Sequence, residues 1–215
     1  MNKAVWLIAK NECRMILREP KFLLPFLFPP VLLIGSQLLL LPGVRSPEIL
    51  SRMMLLCAVL IAPMIIPLAS DSFAGERERG SLELLMLLPV RPSAIFYGKL
   101  LALLPVPFFF VVLAETAYAC CADFWNFAVW GKSVLAGVVS GVLFSGISLF
   151  VSLRTKTART ANQISLLFVF SLLVLVNALA DVYFSNAMAP VVFVLVSGFL
   201  FAAISAISFR RFREN

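Results

Sequence analysis

The chain of 215 residues is 61% hydrophobic and 13% charged, with a mean hydropathy of +1.00, far from the roughly one-half apolar and one-quarter charged composition of a soluble domain. A water-soluble enzyme or binding module is excluded, and an integral membrane protein is left. There is no histidine and no Cys-x-x-Cys pair among Cys13, Cys57, Cys120 and Cys121, which removes histidine-dependent catalysis, haem ligation by histidine and His-containing zinc sites from this chain.

Residues 1–21 come first. At 100° per residue Lys3, Lys10, Arg14, Arg18 and Lys21 share one arc, with Val5, Trp6, Ala9, Cys13 and Ile16 opposite. This is the pattern of an amphipathic helix lying in the inner membrane interface. Glu12 and Glu19 fall on the apolar side and point either to a partner or to lipid headgroups. The first apolar run follows five bases, so it reads as a mature span rather than a cleaved signal.

Six stretches near 22–41, 53–70, 100–122, 133–153, 160–180 and 188–209 are nearly or wholly uncharged. Each is long enough to cross about 30 Å of hydrocarbon at about 1.5 Å per helical residue. They predict an all-α polytopic bundle, one transmembrane domain over 1–215, because unpaired strands are not tolerated in lipid. Pro25, Pro29 and Pro30 in the first span, and Pro63 and Pro67 in the second, remove backbone donors and predict bent helices. With both termini inside, fifteen of the eighteen Lys and Arg are cytoplasmic and only Arg45, Arg52 and Lys132 are outside. The net charge of +7 therefore reads as topology, not as nucleic-acid binding.

Between the second and third spans lies 71–99, the one long segment that is not apolar; Asp71, Glu76, Glu78 and Glu83 alternate with Arg77, Arg79, Arg91 and Lys99. Gly75 and Gly80 bracket the run Glu-Arg-Glu-Arg, Ser81 stands where an N-cap belongs, Leu82 to Leu88 is helix-forming and Pro89 stops it. A helix of about two turns, roughly 10 Å long, is expected beneath the bundle. Its leucines pack one side against span ends, leaving Glu83, Arg79 and the outer leucines to a cytoplasmic partner.

After the third span, Phe124, Trp125, Phe127 and Trp130 read as an outer aromatic belt. Gly131-Lys132-Ser133 has the ending of a phosphate-binding loop, but Asn126 stands where its first glycine is needed and no strand precedes it. In the fourth span Gly137, Gly141 and Gly146, with Ser140 and Ser145, offer a small-residue packing face. The loop RTKTARTANQ is short, basic and cytoplasmic.

The string FAGERERGSLELLMLLPVRPSAIFYGKLLA resembles the signature of type-2 ATP-binding cassette permeases, F-x-x-E-x-E-x-G-[TS]-L-E-x-L-L, then a proline and a helix carrying a lysine. Phe73, Glu76, Glu78, Gly80, Ser81, Leu82, Glu83, Leu85, Pro89 and Lys99 match it. The resemblance implies that 71–99 holds a short cytoplasmic coupling helix seated in a groove of an ABC ATPase subunit. It also implies that this partner binds ATP and Mg, that a second permease copy completes the pathway, and that the assembly is an exporter in the cytoplasmic (inner) membrane of a prokaryote. Six spans, cytoplasmic termini and an amphipathic N-terminal helix fit the same family. Asp181 to Met188 leaves little room for the re-entrant helices that many members carry before the last span.

The membrane subunit of the haem exporters of cytochrome c maturation, which shares the G-[TS]-L-E core, is the alternative within that class, and the preceding GERERG run favours the general exporters. An ion-coupled carrier working alone wants ionisable groups at mid-membrane, and an intramembrane enzyme wants clustered carboxylates or a nucleophile with its base. The spans hold only Glu115, expected about 24 Å along from Lys99 and close to the outer headgroups. Its readings are an interfacial residue, or a part of the transport path or outer gate.

Overall fold

The computed structural model describes residues 3–18, 24–39, 46–87 and 90–214. In chain order these form α1 (Lys3–Arg18), a 3-10 turn (Leu24–Leu27) leading into α2 (Phe28–Leu39), α3 (Pro47–Glu78), α4 (Ser81–Met86), α5 (Pro92–Leu103), α6 (Pro105–Cys121), α7 (Phe127–Arg154), α8 (Ala158–Ser185) and α9 (Ala189–Glu214). No strand occurs among the described residues. The all-α expectation therefore holds, and the chain is a multi-pass membrane protein.

Five stretches of the described residues are long and apolar enough to span a bilayer: Pro47–Glu78, Ser93–Cys121, Phe127–Arg154, Ala158–Val176 and Ala189–Arg210. The first expected span, 22–41, is helical from Leu24 to Leu39, and its ends lie outside the described residues, as do Glu19, Lys21, Arg45 and Pro89. Between α8 and α9 only residues 186–188 intervene. No re-entrant helix fits there, as the short spacing predicts.

Local chemistry sets the helix starts. Ser46, Asn126 and Thr157 accept backbone N–H groups of the first turns of α3, α7 and α8, and Pro47, Pro92 and Pro105 each begin a helix, where a missing N–H costs nothing. Asn126, the residue that spoils the phosphate-loop resemblance, is thus the cap of α7.

The bundle is organised around α7, about 42 Å long at 28 residues, which packs against α3, α6, α8 and α9. Its small residues permit this. A β-carbon on Gly137 would come within 2.9 Å of the Ala58 carbonyl, and one on Gly141 within 2.6 Å of Pro107. The main core joins Cys57, Ile61, Ile65 and Phe73 of α3 to Phe96 and Leu100 of α5 and Phe144 and Leu149 of α7. α3 is mostly enclosed, whereas α8 and α9 lie at the edge with little of their apolar surface covered.

Two expectations need correction. The helix of the second expected span does not stop at Ser70: α3 continues through a widened π-turn, Asp71–Gly75, to Glu78. Serines of α7 make this possible, as the Ser152 hydroxyl accepts the N–H groups of Phe73 (3.2 Å) and Ala74 (2.8 Å) and donates to the Ser70 carbonyl (2.8 Å). Ser148 likewise donates to the Ile66 carbonyl at 3.2 Å, so groups left over by irregular backbone are satisfied inside the protein. Nor is the inward face of α1 purely a lipid face. Val5, Ala9 and Ile16 are buried, Ile16 belongs to the main core, and Ile8 closes on Gly98 of α5.

Candidate functional site

The charged run at the foot of α3 is where the ends of several helices meet, and each of its residues is engaged. Glu76 accepts from the Lys99 ammonium at 2.7 Å. Arg77 donates to the carbonyls of Leu153 (3.3 Å) and Thr155 (2.6 Å) at the end of α7, a cation where that helix leaves carbonyls unpaired. Glu78 accepts the Ala158 N–H at 3.2 Å at the start of α8, an anion on a helix N-terminus. Arg79 grips Asp71 with two hydrogen bonds of 3.1 and 3.2 Å.

Lys99 is the hub. Its side chain is 1% exposed, it holds Glu12 of α1 at 2.9 Å as well as Glu76, and it lies 5.6 Å from the centre of the Phe73 ring, which stacks on Phe96. One buried ammonium thus joins α1, α3 and α5. The misfit of Glu12 on the apolar side of α1 is resolved by this partner. A cavity of about 470 Å³ opens between α1 and the feet of α3 and α5, edged by Asp71, Glu76, Arg79 and Lys99.

From this foot the chain turns into α4. Gly80 has φ +71, a left-handed conformation that glycine adopts without penalty. Ser81 does not act as the expected N-cap; its hydroxyl donates backward to the Glu76 carbonyl at 3.2 Å and closes the end of α3. Leu82 packs against the main core, while Glu83, Leu84 and Leu87 point outward, the two leucines 68% and 80% exposed. An apolar pair beside an acid is thus exposed on and just past a six-residue helix whose base is tied to four others.

Of the residues singled out in the sequence, Phe73, Glu76, Glu78, Gly80, Ser81 and Leu82 therefore build the foot, and Glu83 is left facing outward. Leu85 lies in α4 with its side chain outside the described set, and Pro89 is outside it altogether. Arg77, Asp71, Glu12 and Ser152 are not among the residues matched to the family signature, and all four hold the junction. Only Glu12 gave a signal, a charge on an apolar face.

Glu115 is the one acid buried in the interior of the bundle among the described residues. It is fully buried on α6 beside Cys57 and the Ala58 backbone of α3, with Tyr118 close by. The Tyr118 hydroxyl has no hydrogen-bond partner among the described residues. At the end of the bundle opposite the foot, Arg52 of α3 binds Asp181 of α8 through hydrogen bonds of 2.5 to 3.0 Å. There too Lys132 donates to the Phe184 carbonyl, and the Tyr183 hydroxyl donates to that of Lys132. No cluster of potential metal ligands occurs among the described residues.

The chain is 30% identical over 133 residues to the ABC transporter permease protein NatB of Bacillus subtilis (strain 168), a match covering 55% of this chain and 33% of that relative; the chain spans about a third of the relative's length. The family described as "ABC-2 family transporter protein" matches residues 6–193, a range that runs from α1 through the foot of α3 and α4 into α9. This chain belongs to the ABC-2 family of transporter proteins.

Proposed function

We propose that the chain is the permease subunit of an ATP-driven exporter, and that α4 is the coupling helix through which a separate ABC ATPase, which binds ATP and Mg, acts on the membrane helices. The observation that carries this is the foot of α3. Its charges are spent on α5, α7, α8 and α1, so a displacement applied at Glu83, Leu84 and Leu87 reaches several helices as a rigid-body movement. An exposed apolar pair beside an acid, on a helix held by a left-handed glycine turn, suits a groove in a partner protein.

The rest of the assembly follows the same reading. Residues 1–215 form one transmembrane domain in the inner membrane of a prokaryote, with six spans counting 22–41, both termini cytoplasmic, α1 in the inner interface and a second permease copy completing the path. Arg77, Glu78 and the basic loop before α8 mark the inner end, and Trp125 and the Arg52–Asp181 pair the outer. Glu115 belongs to the path or its outer gate, because a carboxyl buried within a span is costly to keep unless it is used.

Co-purification with the cognate ATPase tests this. Glu83→Arg with Leu84→Asp, both on exposed side chains, is expected to abolish association and ATP-driven export while the permease still inserts. Full association and export in that variant would remove α4 from the coupling role.

A further inference from the structure

The exposed side of α1 has a composition that its contact with α5 leaves unexplained. Lys3, Lys10, Arg14 and Arg18 are all exposed, and Glu12, the one acid in the helix, is turned inward onto Lys99. The exposed side is therefore positive without relief. Between the basic arc and the seated face stand Trp6 and Leu17, 62% and 67% exposed. At the same level Tyr97 of α5, 42% exposed, stacks on Phe209 of α9 at 5.7 Å, an aromatic pair suited to the headgroup zone.

We infer that α1 is a docking surface for anionic phospholipid headgroups, with Trp6 and Leu17 entering the acyl boundary and the four bases binding headgroup phosphates. Apolar flank next to basic arc is the order of side chains a helix needs when it lies in a negatively charged leaflet. The Glu12–Lys99 contact fixes the roll of the helix so that this order faces the lipid. The same ammonium holds Glu76, so lipid bound on α1 bears directly on the foot of α3. The inference rests on the placement of α1 in the inner interface proposed above, and the two are separable by experiment.

The test uses the full chain with Trp125→Phe and Trp130→Phe, leaving Trp6 as the sole tryptophan, its emission excited selectively over tyrosine, in phosphatidylcholine vesicles. These contain equal fractions of either brominated phosphatidylglycerol or brominated phosphatidylcholine. The anionic quencher is expected to compete for the site about fivefold or more better than the zwitterionic one. That preference should vanish near 1 M salt, where screening acts over about 3 Å, and in the variant with all four bases changed to Gln. Equal quenching by the two lipids, or a preference that survives both treatments, overturns the anionic-lipid assignment alone. Quenching by neither overturns the interfacial placement as well, and cross-linking from position 10 to the ATPase in place of lipid would assign the basic arc to protein. The salt titration uses the unaltered bases, so the result stands even if the fourfold variant fails to fold.

Discussion

A single ammonium at position 99 separates two carboxylates that come from different helices and would otherwise face each other. Because Lys99 is buried, its loss leaves uncompensated charge in a poorly solvated place, which costs about 3 to 5 kcal/mol. Lys99→Ala is expected to lower the thermal denaturation midpoint of the purified protein steeply. Asp181→Asn, which breaks the half-exposed pair with Arg52, is expected to cost no more than about 1 kcal/mol. Similar losses in the two variants would contradict the assignment of Lys99 as a buried hub. Ser152→Ala strands two N–H groups of the π-turn and should cost about 1 to 3 kcal/mol in the same assay. At this scale the sequence was only partly legible. The motif drew attention to Glu76, Glu78 and Lys99, and Glu12 betrayed a hidden partner by its misplacement. Ser148 and Ser152 looked like any other small residues in a span, since their use depends on the backbone of a different helix.

Among the elements, α1 and α4 carry the functional reading, and both depend on close approaches. A β-carbon at position 98 would meet the Ile8 side chain at 2.7 Å. Gly98→Val should therefore lift α1 from α5 at an overpacking cost of about 1 to 3 kcal/mol. Amide exchange in α1 should then rise about tenfold or more while α7 is unchanged; unaltered exchange in α1 would show that the seat is not at Gly98. Five of the six expected spans coincide with helices long and apolar enough to cross a bilayer, and these were plain from their apolar runs, because lipid demands length and lack of charge and little else. Where they end was not. The overrun of α3 past Ser70 depends on hydroxyls from α7, and no local preference in DSFAG announces a widened turn. The small-residue face of α7 was legible, and its contacts fall where Gly137 and Gly141 lie.

For the molecule as a whole, contacts sort the charges into two ends. Glu12, Glu76, Arg77, Glu78 and Lys99 gather at one, and Arg52, Lys132 and Asp181 at the other. With the basic excess inside, a cysteine placed at Arg159 in a chain freed of its own four cysteines should label only from the cytoplasm, and one at Trp125 only from outside. The reverse pattern would invert the assembly. Charge placement gives the sequence an orientation to test; the convergence of α1, α3, α5, α7 and α8 on one junction was not legible, being a property of packing. The central claim is that α4 meets a separate motor. A photoreactive residue at Leu87, with Phe127 at the outer end as control, measures this most directly in membranes containing the cognate ATPase. The account predicts an adduct between permease and ATPase from position 87 and none from position 127; an adduct from 127, or none from 87, would contradict it.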